Sequence, residues 1–181
     1  GKDSFERKSA LTTWSYILGM LVHDFQPILA YTTDEVMDFL PESLRDGQTH
    51  AALLDWFEAP LAKEQYQAYL PVYAAVSAAR SSYTRAYDAA LAAGVITEKT
   101  TQATRAELTL TQDLYDLIVA HKVDLAESFV CSDVCIHVGD ELTCDVVPAH
   151  GCKCPCCWNW RTVGEDGLCH RCHDTIASVN E

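Results

Sequence analysis

A chain of 181 residues with 49% hydrophobic side chains is long enough to bury one or two modest cores. Its formal charge of −13 excludes a general polyanion binder, so any nucleic-acid contact must be local. No apolar run reaches the roughly 18 residues that a membrane-spanning helix needs, and no membrane partner is expected. The opening Gly1-Lys2-Asp3-Ser4 carries no apolar signal region and does not start with Met, as expected of a piece of a longer protein.

The periodicity predicts a helix over 5–26, with Asp3 or Ser4 as its cap and Leu11, Trp14, Leu18, Leu21 and Phe25 on one apolar stripe. Pro27 disfavours helical geometry at Gln26 and should end or kink it. A short second helix is expected from a Thr32–Glu35 capping box, with Val36, Phe39 and Leu40 on one face and Pro41 as its stop. Residues 41–60 read as a loop whose Leu53-Leu54-Asp55-Trp56-Phe57 knot packs inward. From Pro60, suited to a first helical turn, an Ala-rich helix runs to about Ala93. Pro71 should kink or divide it, Gly94 should stop it, and Val72, Val76, Ala79, Tyr83, Ala86 and Ala90 form its packing stripe.

Beyond Thr97–Thr104 the period changes. Glu107–Leu110 reads as a strand and Thr111–His121 as a helix with Leu114, Leu117 and Ile118 inward. Phe129–Val138 and Glu141–Val147 read as two strands joined in a hairpin by Gly139-Asp140. The expected fold class is α+β: a mainly helical N-terminal part ending a helix bundle, a small α/β unit, and a C-terminal zinc knuckle or ribbon.

Six of the nine cysteines lie between Cys152 and Cys172. Cys154 and Cys157 share the two-residue spacing of Cys169 and Cys172, and two such knuckles supply the four thiolates of a tetrahedral Zn2+ shell. A closed four-thiolate shell has no open position for an activated water, so one structural rather than catalytic Zn2+ is expected. Cys152 and Cys156 read as bystanders, and His170 and His173 as substitute ligands that a complete shell does not need. The odd cysteine count and tight pairs favour reduced thiols in the cytoplasm. Cys131, Cys135 and Cys144 read as small, half-buried residues on strands. Trp158 and Trp160, beside the first knuckle, can either stack on unpaired bases or shield the metal. Arg161 and Arg171 are candidate phosphate contacts. Ile136-His137-Val138-Gly139 is taken as a chance likeness to a His-x-Gly motif. No Walker motif, dinucleotide loop or nucleophile–base pair is recognisable, so no catalytic residue is assigned.

The segments Lys153-Cys154-Pro155-Cys156-Cys157-Trp158 and Leu168-Cys169-His170-Arg171-Cys172 resemble the C-terminal zinc segment of bacterial isoleucyl-tRNA synthetases, K-C-x-R-C-W and L-C-x-R-C. Phe25 to Val36 is similar to that family's A-P-I-L-x-x-T-A-E-E-V-W segment, Leu54-Asp55-Trp56 to its L-A-D-W, and Ala79-Arg80 and Ala106–Leu110 to an A-R helix and an E-A-x-V-T-L strand. Thr100-Thr101-Gln102-Ala103 stands where the family has I-G-S-S, Cys156 replaces an Arg, and the loop between the knuckles is shorter. The resemblance implies that residues 1–60 end the anticodon-binding helical domain, 61–148 form a C-terminal junction, and 149–181 form the zinc-binding module. It implies a cytoplasmic, monomeric class I isoleucine--tRNA ligase as the parent, with ATP used by a catalytic domain absent from this chain. It further implies the tRNA(Ile) anticodon arm and the rest of the synthetase chain as partners. Two other readings stand beside it: a zinc-stabilised interaction module that makes no RNA contact, and the zinc-knuckle tail of a DNA glycosylase.

Overall fold

The computed structural model describes residues 3–58 and 62–179. The chain divides into two compact units, Gly1–Lys63 and Glu64–Glu181, and mixes helix with strand as an α+β fold.

In the first unit, α1 (Phe5–Phe25) begins where the Ser4 side chain accepts a hydrogen bond from the Arg7 amide, which satisfies one of the free N–H groups at the helix start. A turn through Gln26-Pro27-Ile28 leads into α2 (Ala30–Phe39). The expected Thr32–Glu35 capping box does not form, because the helix starts three residues earlier, where the Leu29 carbonyl accepts from the Thr33 amide. The face of α2 shifts accordingly: Thr33, Met37 and Leu40 are buried, Val36 is half-buried, and Phe39 points to solvent. Val22 of α1 meets Met37, Leu40 and Ala51 in a small core, and the expected α1 stripe, Leu11 and Trp14 included, stays exposed.

The Leu53–Phe57 knot packs only in part. Leu54 joins that core and Phe57 sets its ring against Tyr16 and Gly19, while Leu53 and Trp56 remain exposed. The loop is held instead by Asp34, whose carboxylate accepts from the Ala51 amide at 3.0 Å and pairs with His50 at 2.8 Å. The hydrogen bond from His50, and after it that from the Ala51 amide, keeps the Asp34 carboxyl below the usual carboxylate range.

Helix α3 (Lys63–Ala92), all but its first residue in the second unit, is one continuous helix; Pro71 does not divide it. Pro60, expected at its first turn, lies outside the described residues. Val72, Ala79, Tyr83 and Ala90 are buried as the stripe predicts, and Ala79, Tyr83 and Ala90 share a core with the inward row of the strand that follows. Gly94 ends the run with φ +71°, a left-handed conformation open to glycine at little cost.

Strand β1 (Thr104–Leu110) starts three residues before the expected Glu107, and its burial alternates along its length, so Thr104, Ala106, Leu108 and Leu110 all face the core. Helix α4 (Gln112–Ala120) follows with Ile118 buried and Leu114 and Leu117 beside it. A short helix that periodicity missed, α5 (Leu125–Phe129), is capped by Asp124 accepting from the Glu127 amide. It takes Phe129, expected to open the next strand, and β2 begins only at Asp133 (Asp133–Val138).

The predicted hairpin is overturned. β2 and β3 (Thr143–Pro148) both pair with β1, in the order β2-β1-β3, β2 parallel and β3 antiparallel. Neighbouring strands lie about 4.8 Å apart, so strands flanking a third are about 10 Å apart. Residues 139–142 span that gap, which a two-residue turn cannot do. The strongly apolar inward row of β1 places it at the centre, where both its edges are covered.

The last part adds a two-stranded ribbon, β4 (Cys152–Lys153) against β5 (Trp160–Arg161), and a terminal helix, α6 (His170–Val179). Gly151 is required before β4: at φ +92°, a Cβ there would lie 2.4 Å from the Arg161 carbonyl oxygen.

Candidate metal centre and the cleft beside it

Cys154 follows β4 and Cys157 closes the first knuckle; Cys169 precedes α6 and Cys172 lies in its first turn. Each pair is local, so its geometry follows from two tight turns. The first is closed by the Trp158 amide donating to the Cys154 carbonyl at 2.8 Å and the Cys154 amide donating to the Asn159 carbonyl at 2.9 Å. The Cys169 amide, donating to Cys154 Sγ at 3.4 Å, joins the second turn to the first, and a bridge to Val163 steadies it.

The four sulfurs lie within 4.8 Å of one another and can hold one metal ion. The Sγ atoms of Cys157 and Cys169 are 3.8 Å apart, the edge of a tetrahedron with metal–sulfur bonds of about 2.3 Å. Cys154, Cys169 and Cys172 are buried, with Val163 and Leu168 packed against them. Backbone amides, that of Cys169 foremost at 3.4 Å, draw the Cys154 thiol down to about 6, whereas burial pushes those of Cys157 and Cys172 up. A cation is what allows all four to ionise together. Cys152 and Cys156 are exposed and stand outside this set. His173 is turned away to Asp166 (2.7 Å) and His170 to Asp174 (3.0 Å), so neither is a substitute ligand.

The knuckles are bolted to the sheet by Ser132, a buried residue at the start of β2. Its hydroxyl donates to the Gln102 carbonyl and accepts from the Trp160 amide at 2.7 Å, while its own amide donates to the Thr104 carbonyl at 3.0 Å. Thr104 is itself anchored, donating to the Thr101 carbonyl and accepting from the Tyr83 hydroxyl at 2.7 Å. Sequence reasoning missed Ser132 because its partners are about thirty positions away.

Between the knuckles and the edge of β2 runs a cleft of about 680 Å³, lined by Arg105, Asp133, Trp160, Arg161, His170 and Arg171 among others. A smaller hollow of about 250 Å³ shares Arg161 and Arg171 and adds Gln102 and Asn159. Three arginines, Arg105, Arg161 and Arg171, thus line one cleft together with Asp124 and Asp133. Trp158 is 58% exposed. Its backbone adopts φ +64°, a left-handed conformation that a bulky residue holds only at a cost. Lys153 lies 5.4 Å and 5.5 Å from the ring centres of Trp158 and Trp160, which bridges the two rings with one cation.

Cys131 and Cys144 pack in or against the main core as expected of small apolar residues, and burial raises both thiols to about 11. Cys135 differs: it sits on the opposite face of the sheet with Glu107 and His137. Hydrogen bonds from His137 and then Arg105 hold the Glu107 carboxyl below its usual range.

With the geometry in place, comparison with known proteins is decisive. The isoleucine--tRNA ligase of Nitratidesulfovibrio vulgaris is 32% identical over 195 aligned positions, covering 94% of this chain and 20% of its own. Those of Lawsonia intracellularis and Neisseria gonorrhoeae are 27% and 28% identical, each covering 99% of this chain. The chain is homologous to a segment of isoleucine--tRNA ligase. It spans about a fifth of the length of these curated ligases. No protein-family model matches the chain. Among the described residues no helix is long and apolar enough to cross a membrane.

Proposed function

We propose that this chain is the anticodon-end segment of an isoleucine--tRNA ligase, and that Cys154, Cys157, Cys169 and Cys172 hold one structural Zn2+. In this reading the metal braces a surface on which Trp158 and Trp160 stack on unpaired bases and Arg161 and Arg171 meet phosphates of the tRNA(Ile) anticodon arm. The parent enzyme is a cytoplasmic monomer, and its ATP-dependent attachment of isoleucine is carried out by parts of the enzyme outside this chain. The exposed apolar face of α1 fits a role as the surface that packs on the rest of the synthetase.

The observation that carries this reading is Trp158, a large aromatic side chain left in solvent on a backbone that would be unstrained as glycine. Glycine would hold that backbone without strain, and Val163 and Leu168 already pack against the sulfurs. Single-strand binding by aromatic stacking is worth about 1–3 kcal/mol per base. The test is Trp158→Gly, measured by tRNA binding at several salt concentrations and by bound metal. The expected outcome is unchanged metal content with tRNA affinity weakened roughly 5- to 150-fold. Equal affinity for tRNA would leave the purely structural zinc module as the better reading.

A further inference from the structure

We propose that Glu107, Cys135 and His137 form a second metal site, separate from the four-cysteine centre, that takes a thiophilic divalent cation of the Zn2+ class on the open face of the sheet. The proposal is independent of the RNA reading and shares none of its residues.

The backbone places these ligands. β1 and β2 are parallel, and Glu107 lies directly opposite Cys135 in their register. His137 is two residues further along β2 and therefore on the same face as Cys135. One carboxylate oxygen, the thiol sulfur and one imidazole nitrogen all lie within 4.8 Å of one another. Nε2 of His137 and Oε2 of Glu107 are 3.2 Å apart. Metal–nitrogen and metal–oxygen bonds of about 2.0–2.1 Å put neighbouring tetrahedral ligands about 3.3–3.4 Å apart, so that edge of the shell is already formed.

The other oxygen of Glu107 is held by Arg105. That contact fixes the carboxylate and leaves Oε2 directed at His137, the kind of outer contact that orients a metal ligand. Asp145 stands opposite Glu107 on the other neighbouring strand and is exposed, adding negative charge to the same face. Sulfur, nitrogen and oxygen together suit Zn2+ better than Ca2+ or Mg2+, which prefer oxygen alone. Three protein ligands leave the fourth position to water. On binding, Cys135 gives up its thiol proton to solvent. His137 passes to the tautomer protonated on Nδ1, so that the Nε2 proton shared with Glu107 is released, and the cation takes the place of both protons.

Without a cation, Glu107 would only pair with Arg105 and His137, and experiment separates the two. The full chain, saturated with Zn2+ and freed of excess, is assayed for metal per chain by elemental analysis, next to Cys135→Ser/His137→Gln. The proposal expects two equivalents in the parent chain and one in the variant. It also expects Co2+ in the second site to show the weaker thiolate-to-metal absorption of a single sulfur ligand. On the parent chain itself, 15N NMR should show the His137 Nε2 resonance move as the second equivalent of Zn2+ is added, a readout that holds even if the variant folds poorly. A single equivalent in the parent, a second equivalent that survives in the variant, or an unmoved His137 resonance would each overturn it.

Discussion

Replacing Ser132 by Ala removes one oxygen and two hydrogen bonds, and it leaves two backbone groups behind. The Trp160 amide and the Gln102 carbonyl both turn to that hydroxyl, in a place where Ser132 is only 5% exposed. A net hydrogen bond is worth about 1 kcal/mol, and stranding a buried partner adds about 1–3 kcal/mol. Some of that is recovered if water reaches Trp160 through the adjoining cleft, which puts the expected loss at roughly 2–3 kcal/mol. For a unit of this size, that lowers Tm by roughly 6–12 °C. The assay is thermal or urea unfolding beside a Ser128→Ala control, whose hydroxyl only returns to the Asp124 carbonyl in its own turn. Bound metal should be retained, because none of the four sulfurs is touched. A Ser132→Ala protein with the Tm of the control would refute the view that this hydroxyl couples the knuckles to the sheet.

Three further outcomes are expected. Tyr83→Phe removes the donor to buried Thr104 while keeping the ring stacked 4.8 Å from Phe129, so the cost should be about 1 kcal/mol by urea unfolding, and a loss above about 3 kcal/mol would mean the ring had moved. Stripping metal with a strong chelator should release amide protection across residues 152–179 and spare β1 and α3, whose core is separate, as read by hydrogen exchange; uniform loss would contradict it. The His173–Asp166 pair raises the imidazole pKa and lowers the carboxyl pKa. Its contribution is complete below the ordinary histidine value of about 6.5 and fades as pH rises through the raised one; on the acid side it is complete above the ordinary carboxylate value of about 3.9 and fades below it. The Tm difference between parent and His173→Ala should therefore be largest between those ordinary values and shrink on either side.

Much of the helical reading was accessible in sequence because helices are local. Ser4 at a helix start, the stripe from Val72 to Ala90 and the stop at Gly94 all depend on neighbours within a few residues. The Thr32–Glu35 box failed for an equally physical reason: the tight turn after Phe25 admits helical geometry at once, and the Leu29 carbonyl takes the Thr33 amide first. Pro71 failed to divide α3 because the packed stripe beyond it holds the helix together. Gly139-Asp140 has the composition of a hairpin turn, yet pairing is settled by which strand has the most apolar surface to bury, and that strand is β1.

The cysteine array shows where the division falls. Spacing alone specified that Cys154 and Cys157, and Cys169 and Cys172, would each share a turn, because a two-residue gap leaves the backbone few ways to place two sulfurs on one side. Homology along nearly the whole chain was likewise written in residue order. Only the tertiary structure could decide that Trp158 stands exposed on strained backbone, that Ser132 ties the knuckles to the sheet, and that Cys135 meets Glu107 and His137 away from the core. Each of these joins residues brought together by strand pairing, and pairing depends on the burial of surface summed over the whole unit rather than on any short stretch of chain.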